Sequence, residues 1–155
     1  MRNVKGKSSF TKDRYLFSDQ IGHLLRRVYQ RHTALFQHYI PDSQLTAAQF
    51  VVLCSVRDHG ASSLADLVKA TVIDQATVRG VVDRLKQREL VKVDHDPVDR
   101  RKVVINLTPA GQALVQEMEP FAMQITESTY GNLNPAERLA LDFLLTKMLN
   151  GDEPA

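Results

Sequence analysis

The chain carries a single cysteine, Cys54, among 155 residues. That excludes an internal disulfide framework and a metal centre built from several thiolates. No apolar run approaches the roughly 20 residues that a membrane-spanning helix needs. The opening MRNVKGKSSF lacks the apolar middle of a secretory signal, so a cytoplasmic address is expected. Nucleophile elbow, phosphate loop and paired metal motif are all missing. Ser, His and Asp residues occur with no pattern that joins them, and an enzyme is not expected. Five histidines, His23, His32, His38, His59 and His95, could supply metal ligands with Asp58 or Asp94, but without compact spacing such as H-x-x-x-H. Strong charge is lacking too, the net value being only +2.

The distribution of that charge says more than its sum. Residues 1–14 carry five Lys/Arg against one acid, residues 69–102 nine against six, and residues 112–155 two against seven. A weakly basic middle beside an acidic tail fits a nucleic-acid face on one side of the molecule. Residues 1–14 read as a mobile basic arm.

From Asp19 the apolar residues Ile21, Leu24, Leu25, Val28, Leu35, Phe36 and Tyr39 recur at helical spacing. This helix must stop by Ile40, because Pro41 disfavours helical geometry in the residue before it. Thr46 and Gln49 form a capping-box pair opening Ala47–His59, a helix apolar nearly all round and so expected to be buried. Cys54 lies inside it and reads as a packed thiol rather than a redox sensor. Ser63 and Asp66 repeat the capping logic for Leu64–Ala70. After a turn at Thr71–Ile73, Asp74 caps a helix to Gln87 whose inner stripe is Val78, Val81, Val82 and Leu85.

The outer side of that last helix is small and polar at its start, as a helix that meets base edges would be. Gly80 interrupts it at a cost of about 1 kcal/mol relative to alanine. Close approach to a DNA groove or to another helix would each account for it. Leu90–Asp94 and Val103–Leu107 alternate as a two-stranded ribbon, and Asp96, Pro97 and Asp99 turn it. Arg100, Arg101 and Lys102 then stand at or near the tip, where arginine can enter a minor groove. Thr108 and Pro109 start a long helix to about Tyr130, with a kink or break expected at Pro120. Asn134, Pro135 and Glu137 start the last helix, whose Leu139, Leu141, Phe143, Leu144, Leu145 and Met148 need a partner surface. A second copy of the chain is the expected partner.

The fold class expected is therefore mainly α with a small two- or three-stranded β-wing. A winged helix-turn-helix DNA-binding domain, 46–108, is flanked by a helical dimerisation region, 15–45 and 109–150. Double-stranded DNA is the expected partner. Phosphates would be held by Lys69, Arg84, Lys86, Arg100 and Arg101. Bases would be read by Gln75, Ala76, Thr77 and Arg79, beside Gly80. The other reading of such a fold is a protein-interaction module.

The segment TVRGVVDRLKQRELVKVDHDPVDRRKVVINLTPAGQAL, Thr77–Leu114, resembles the MarR family of bacterial transcriptional regulators, and the helix order extends the likeness to about residues 15–149. Asp99, Arg101, Leu107, Thr108 and Gly111 match that family's D-x-R wing followed by L-T-x-x-G. The resemblance implies a homodimeric repressor on a palindromic operator, clasped by its first and last two helices. It also implies that Arg101 touches DNA while Asp99 pairs with it to hold the wing. By the same likeness no cofactor is expected, and a small aromatic acid releases the DNA. Arg14, Tyr15, His23, Arg26 and Arg27 are candidates to bind that acid between the dimer helices and the winged lobe, with metal or redox sensing as the alternative.

Two departures from the family stand out. Glu89 replaces the usual glycine at the end of the recognition helix, so that exit is expected to be made differently. Arg79-Gly80 replaces the frequent Thr-Arg, moving the arginine about 100° around the helix. Within the family, IDQATVRGVVDRLKQREL and the histidine-rich first helix are most similar to repressors of nicotinate degradation, which implies a hydroxylated pyridine carboxylate as effector.

Overall fold

The computed structural model describes residues 14–151; the basic arm expected at the start therefore lies almost wholly outside the described residues. A short 3-10 turn, Phe17–Asp19, precedes α1 (Ile21–Tyr39), α2 (Ala47–His59), α3 (Leu64–Thr71) and α4 (Gln75–Gln87). The strands β1 (Val91–His95) and β2 (Val103–Leu107) follow, then α5 (Pro109–Tyr130) and α6 (Pro135–Leu149).

Local chemistry sets most of these boundaries. Thr46 with Gln49, Ser63 with Asp66, and Asn134 with Glu137 each close a reciprocal capping box, satisfying two backbone donors that the helix leaves free. Asp74 and Thr108 cap α4 and α5 through the backbone N–H three residues on. Pro120 does not break α5, which runs unbroken across it. The expectation of a break is corrected.

β1 and β2 pair antiparallel, with Val91 opposite Leu107 and His95 opposite Val103. A third strand amounts to one bridge: Ser62 and Ile105 exchange backbone hydrogen bonds of 3.0 and 2.8 Å. This bridge ties the root of the wing to the segment before α3.

The core gathers under the helix-turn-helix. Val52, Leu53 and Val56 of α2, Leu67 of α3, the four α4 residues Val78, Val81, Val82 and Leu85, and Ile105 of β2 are buried together. Each such side chain contributes roughly 2 kcal/mol of transfer free energy. Burial of α2 is incomplete, since Val51 remains 42% exposed; that face looks away from the core.

α1 packs along α5. The Arg31 guanidinium donates to the carbonyls of Ser128 and Thr129, the last turn of α5, which has no basic residue of its own. α6 buries none of its residues.

Candidate nucleic-acid interface

Asp74 fixes the start of α4. Its carboxylate accepts the Thr77 backbone N–H at 2.9 Å and the Thr77 hydroxyl at 2.6 Å. These bonds, the hydroxyl first, hold the Asp74 carboxyl below its ordinary pKa. Thr77 therefore presents a methyl group and a lone pair, its hydroxyl proton being already committed. Gln75, Ala76, Thr77 and Arg79 are all exposed, as are Arg84 and Lys86. A Cβ built on Gly80 would meet nothing within 4 Å. No helix among the described residues approaches that position, so one of the two explanations for the glycine falls away among them.

The wing turn is tied by several backbone hydrogen bonds. Asp96 N–H donates to the Lys102 carbonyl at 2.9 Å, and Lys102 N–H to the Asp99 carbonyl at 3.0 Å. The Asp96 carboxylate accepts the N–H groups of Val98 and Asp99 at 2.7 and 3.0 Å, and the Asp99 bond leads in holding its carboxyl below the usual carboxylate range. Asp99 accepts the backbone N–H of Arg101 at 3.1 Å. Its pairing with Arg101 is thus made through the backbone. The guanidinium is left free to project, and both Arg100 and Arg101 are exposed.

Arg79, Lys86 and Arg101 come together on one cleft between α4 and the wing, floored by Leu64, Val82, Val93 and Val103 and edged by Asp83. Arg101 also borders a second cleft with Asp96, Lys102 and the α3 start. Lys69 stands elsewhere, in a depression with Ser55, His59, Ser62 and Asp66. Among the described residues none of Lys69, Arg79, Arg84, Lys86, Arg100 or Arg101 is ion-paired, while Arg57, Arg88 and Arg138 are. These cations are therefore available to an external anion.

Lys102, expected near the tip of the wing, shares the Arg101 cleft. One contributor escaped sequence reasoning. Arg88 pairs with Asp42 at 2.6 Å, tying the end of α4 to the loop before α2. Nothing local announces a contact across that separation.

The exit of α4 corrects another expectation. Glu89 adopts the left-handed conformation that glycine favours, with φ 59°. Leu90 N–H reaches the Leu85 carbonyl and Glu89 N–H the Lys86 carbonyl, both at 2.9 Å, the bond pair of a Schellman termination. The exit is made the same way, with a less suitable residue.

The proposed effector ligands lie apart from all this. Arg14, Tyr15, Arg26 and Arg27 are exposed, and His23 is half-buried edge-on to Phe17 at 5.1 Å. No cluster of three His, Cys, Asp or Glu able to hold a metal occurs among the described residues.

The model of the MarR family matches residues 45–103. The chain is 57% identical to the HTH-type transcriptional repressor NicR of Pseudomonas putida over 141 residues, 91% of this chain and 89% of that one. The chain belongs to the MarR family. Among solved members, BpsR of Bordetella bronchiseptica, whose DNA binding is regulated by 6-hydroxynicotinic acid, superposes with a TM-score of 0.84 at 66% identity, covering 89% of this chain and 99% of that one. A cysteine-to-serine mutant of Escherichia coli MarR complexed with operator DNA gives 0.79 at 30% identity, covering 88% and 99%. As a MarR-family protein the chain is a DNA-binding transcriptional regulator. None of its described helices is long and apolar enough to cross a membrane.

Proposed function

We propose that the protein is a cytoplasmic homodimeric repressor, without enzymatic activity, that binds a palindromic operator and releases it on taking up a hydroxylated pyridine carboxylate. The likeness to BpsR carries this reading, since two thirds of aligned positions are identical over nearly the whole of that protein. The similarity to NicR, a transcriptional repressor, supports the repressor half of the reading.

In this reading residues 46–108 bind DNA, and 15–45 with 109–150 form the dimer region. α4 lies in the major groove, with Gln75, Ala76, Thr77 and Arg79 at the bases and Gly80 giving room for close approach. Arg79 grips a guanine edge, while the Ala76 and Thr77 methyls suit thymine. Lys69, Arg84, Lys86 and Arg100 neutralise phosphates, and Arg101, positioned by Asp99, enters the adjoining minor groove. The effector carboxylate is met by one of Arg14, Arg26 and Arg27, with Tyr15 and His23 against the ring. A second protomer must complete those walls, because this end of α1 stands uncovered.

Fluorescence anisotropy on the DNA upstream of the protein's own gene tests both halves. Titration with 6-hydroxynicotinic acid should release the duplex at concentrations where benzoate does not; equal behaviour of the two acids would refute the effector assignment. Arg79→Ala should relax preference at one base pair, worth about 1–3 kcal/mol. Equal losses on operator and scrambled DNA would refute its base-reading role.

A further inference from the structure

Outside the helical lobe formed by α1, α5 and α6, the two most exposed large apolar side chains are Val98, at 97%, and Val72, at 89%. Val98 stands inside the wing turn, between Pro97 and Asp99 and next to the two exposed arginines. A lone exposed valine costs the fold little and by itself means nothing. Its setting gives it meaning.

Turn positions ordinarily favour Gly, Asn, Asp or Ser. Here both acids of the turn are aimed inward. Asp96 receives the N–H of Val98 and of Asp99, and Asp99 receives that of Arg101. His95 Nδ1 and the Arg100 carbonyl close the far side at 3.0 Å. The backbone on either side of Val98 is thereby fixed, and its isopropyl group stands exposed in the same turn that carries Arg100 and Arg101. A groove that takes the tip of this turn meets the valine as well as the arginines.

We infer that Val98 is a specificity-determining contact of the wing, an apolar apex laid on the minor-groove floor that favours A·T over G·C pairs. The inference rests on the reading of the wing as a minor-groove element. A·T pairs present only acceptors there, whereas G·C adds the guanine amino group. Valine can neither accept from that amino group nor leave room for the water that would. Over A·T it packs on the sugar and base edges of a groove already narrow and attractive to arginine. The valine adds no charge, so it shapes sequence preference without altering the phosphate count.

The test uses the full chain and two duplexes, one with A·T and one with G·C pairs where hydroxyl-radical footprinting places the wing. Wild type should prefer the first about tenfold. Val98→Asn, which suits the turn and can accept from guanine, should lower that ratio about threefold or more while leaving the salt dependence of binding unchanged, the remainder being the arginine's own preference for the narrow groove. Arg101→Ala should weaken both duplexes and lower the salt slope by about one. A wild-type ratio near one, or a ratio that survives Val98→Asn, overturns the inference. If Arg101→Ala changes neither affinity nor slope, the groove-entering wing itself is wrong, and the inference fails with it for that separate reason.

Discussion

Thr108 and Gly111 show how much one or two side-chain atoms decide at the root of the wing. The Thr108 hydroxyl donates to the Glu89 carbonyl at 2.7 Å and accepts the Gly111 N–H at 3.0 Å. Its own N–H donates to the Leu90 carbonyl at 3.1 Å. A Cβ on Gly111 would fall 2.0 Å from that same Leu90 oxygen, which is backbone and cannot rotate aside. The threonine and glycine of the family's L-T-x-x-G motif thus clamp α5 onto the end of α4. Gly111→Ala should cost about 3 kcal/mol, as backbone strain at a buried contact does. Thr108→Val should cost about 1 kcal/mol through loss of the cap. Urea unfolding at fixed protein concentration, with unchanged m-value, measures both. A smaller loss for Gly111→Ala than for Thr108→Val would show that α5 can retreat freely.

At the scale of elements, α4 is set by unequal ends: a well-made cap at Asp74 and a strained exit at Glu89. A non-glycine residue in the left-handed region costs about 1 kcal/mol. Glu89→Gly should therefore raise stability by about that much, whereas Glu89→Ala, which removes the charge and keeps the strain, should not. Thermal unfolding separates them, and equal gains would assign the effect to charge. The helix starts were legible in the sequence because each cap acts over three residues. The wing was legible because alternation and turn chemistry are equally local. What stayed hidden is held from a distance: Arg88 on Asp42, Arg31 on the end of α5, and the contact of Gly111 with Leu90. Of the candidate interface, the cationic side chains could be named from the sequence. That Asp99 would hold the backbone of Arg101, or that Thr77 would spend its hydroxyl on Asp74, depended on turn geometry that spacing does not encode.

The molecule as a whole leaves too much apolar surface uncovered for a lone protomer. Leu139, Phe143, Leu144 and Leu149 of α6 are 74, 64, 53 and 85% exposed, and Ile21 and Val28 of α1 are 59 and 53% exposed. Patches of this extent on soluble chains mark association sites. Because α6 contributes nothing to the core, this face can be altered without unfolding the winged lobe. Phe143→Glu would place a charge on it, and Leu144→Glu is the independent second variant. Each should convert a dimer to a monomer by light scattering, with the helical circular dichroism retained. Operator affinity should then fall by 10²-fold or more, because two linked half-sites gain that much over one, while affinity for a single half-site stays the same. A charge on α6 that leaves the dimer intact in both variants would locate the interface elsewhere. A monomer that holds the full operator as tightly as the dimer would remove the palindrome from the mechanism.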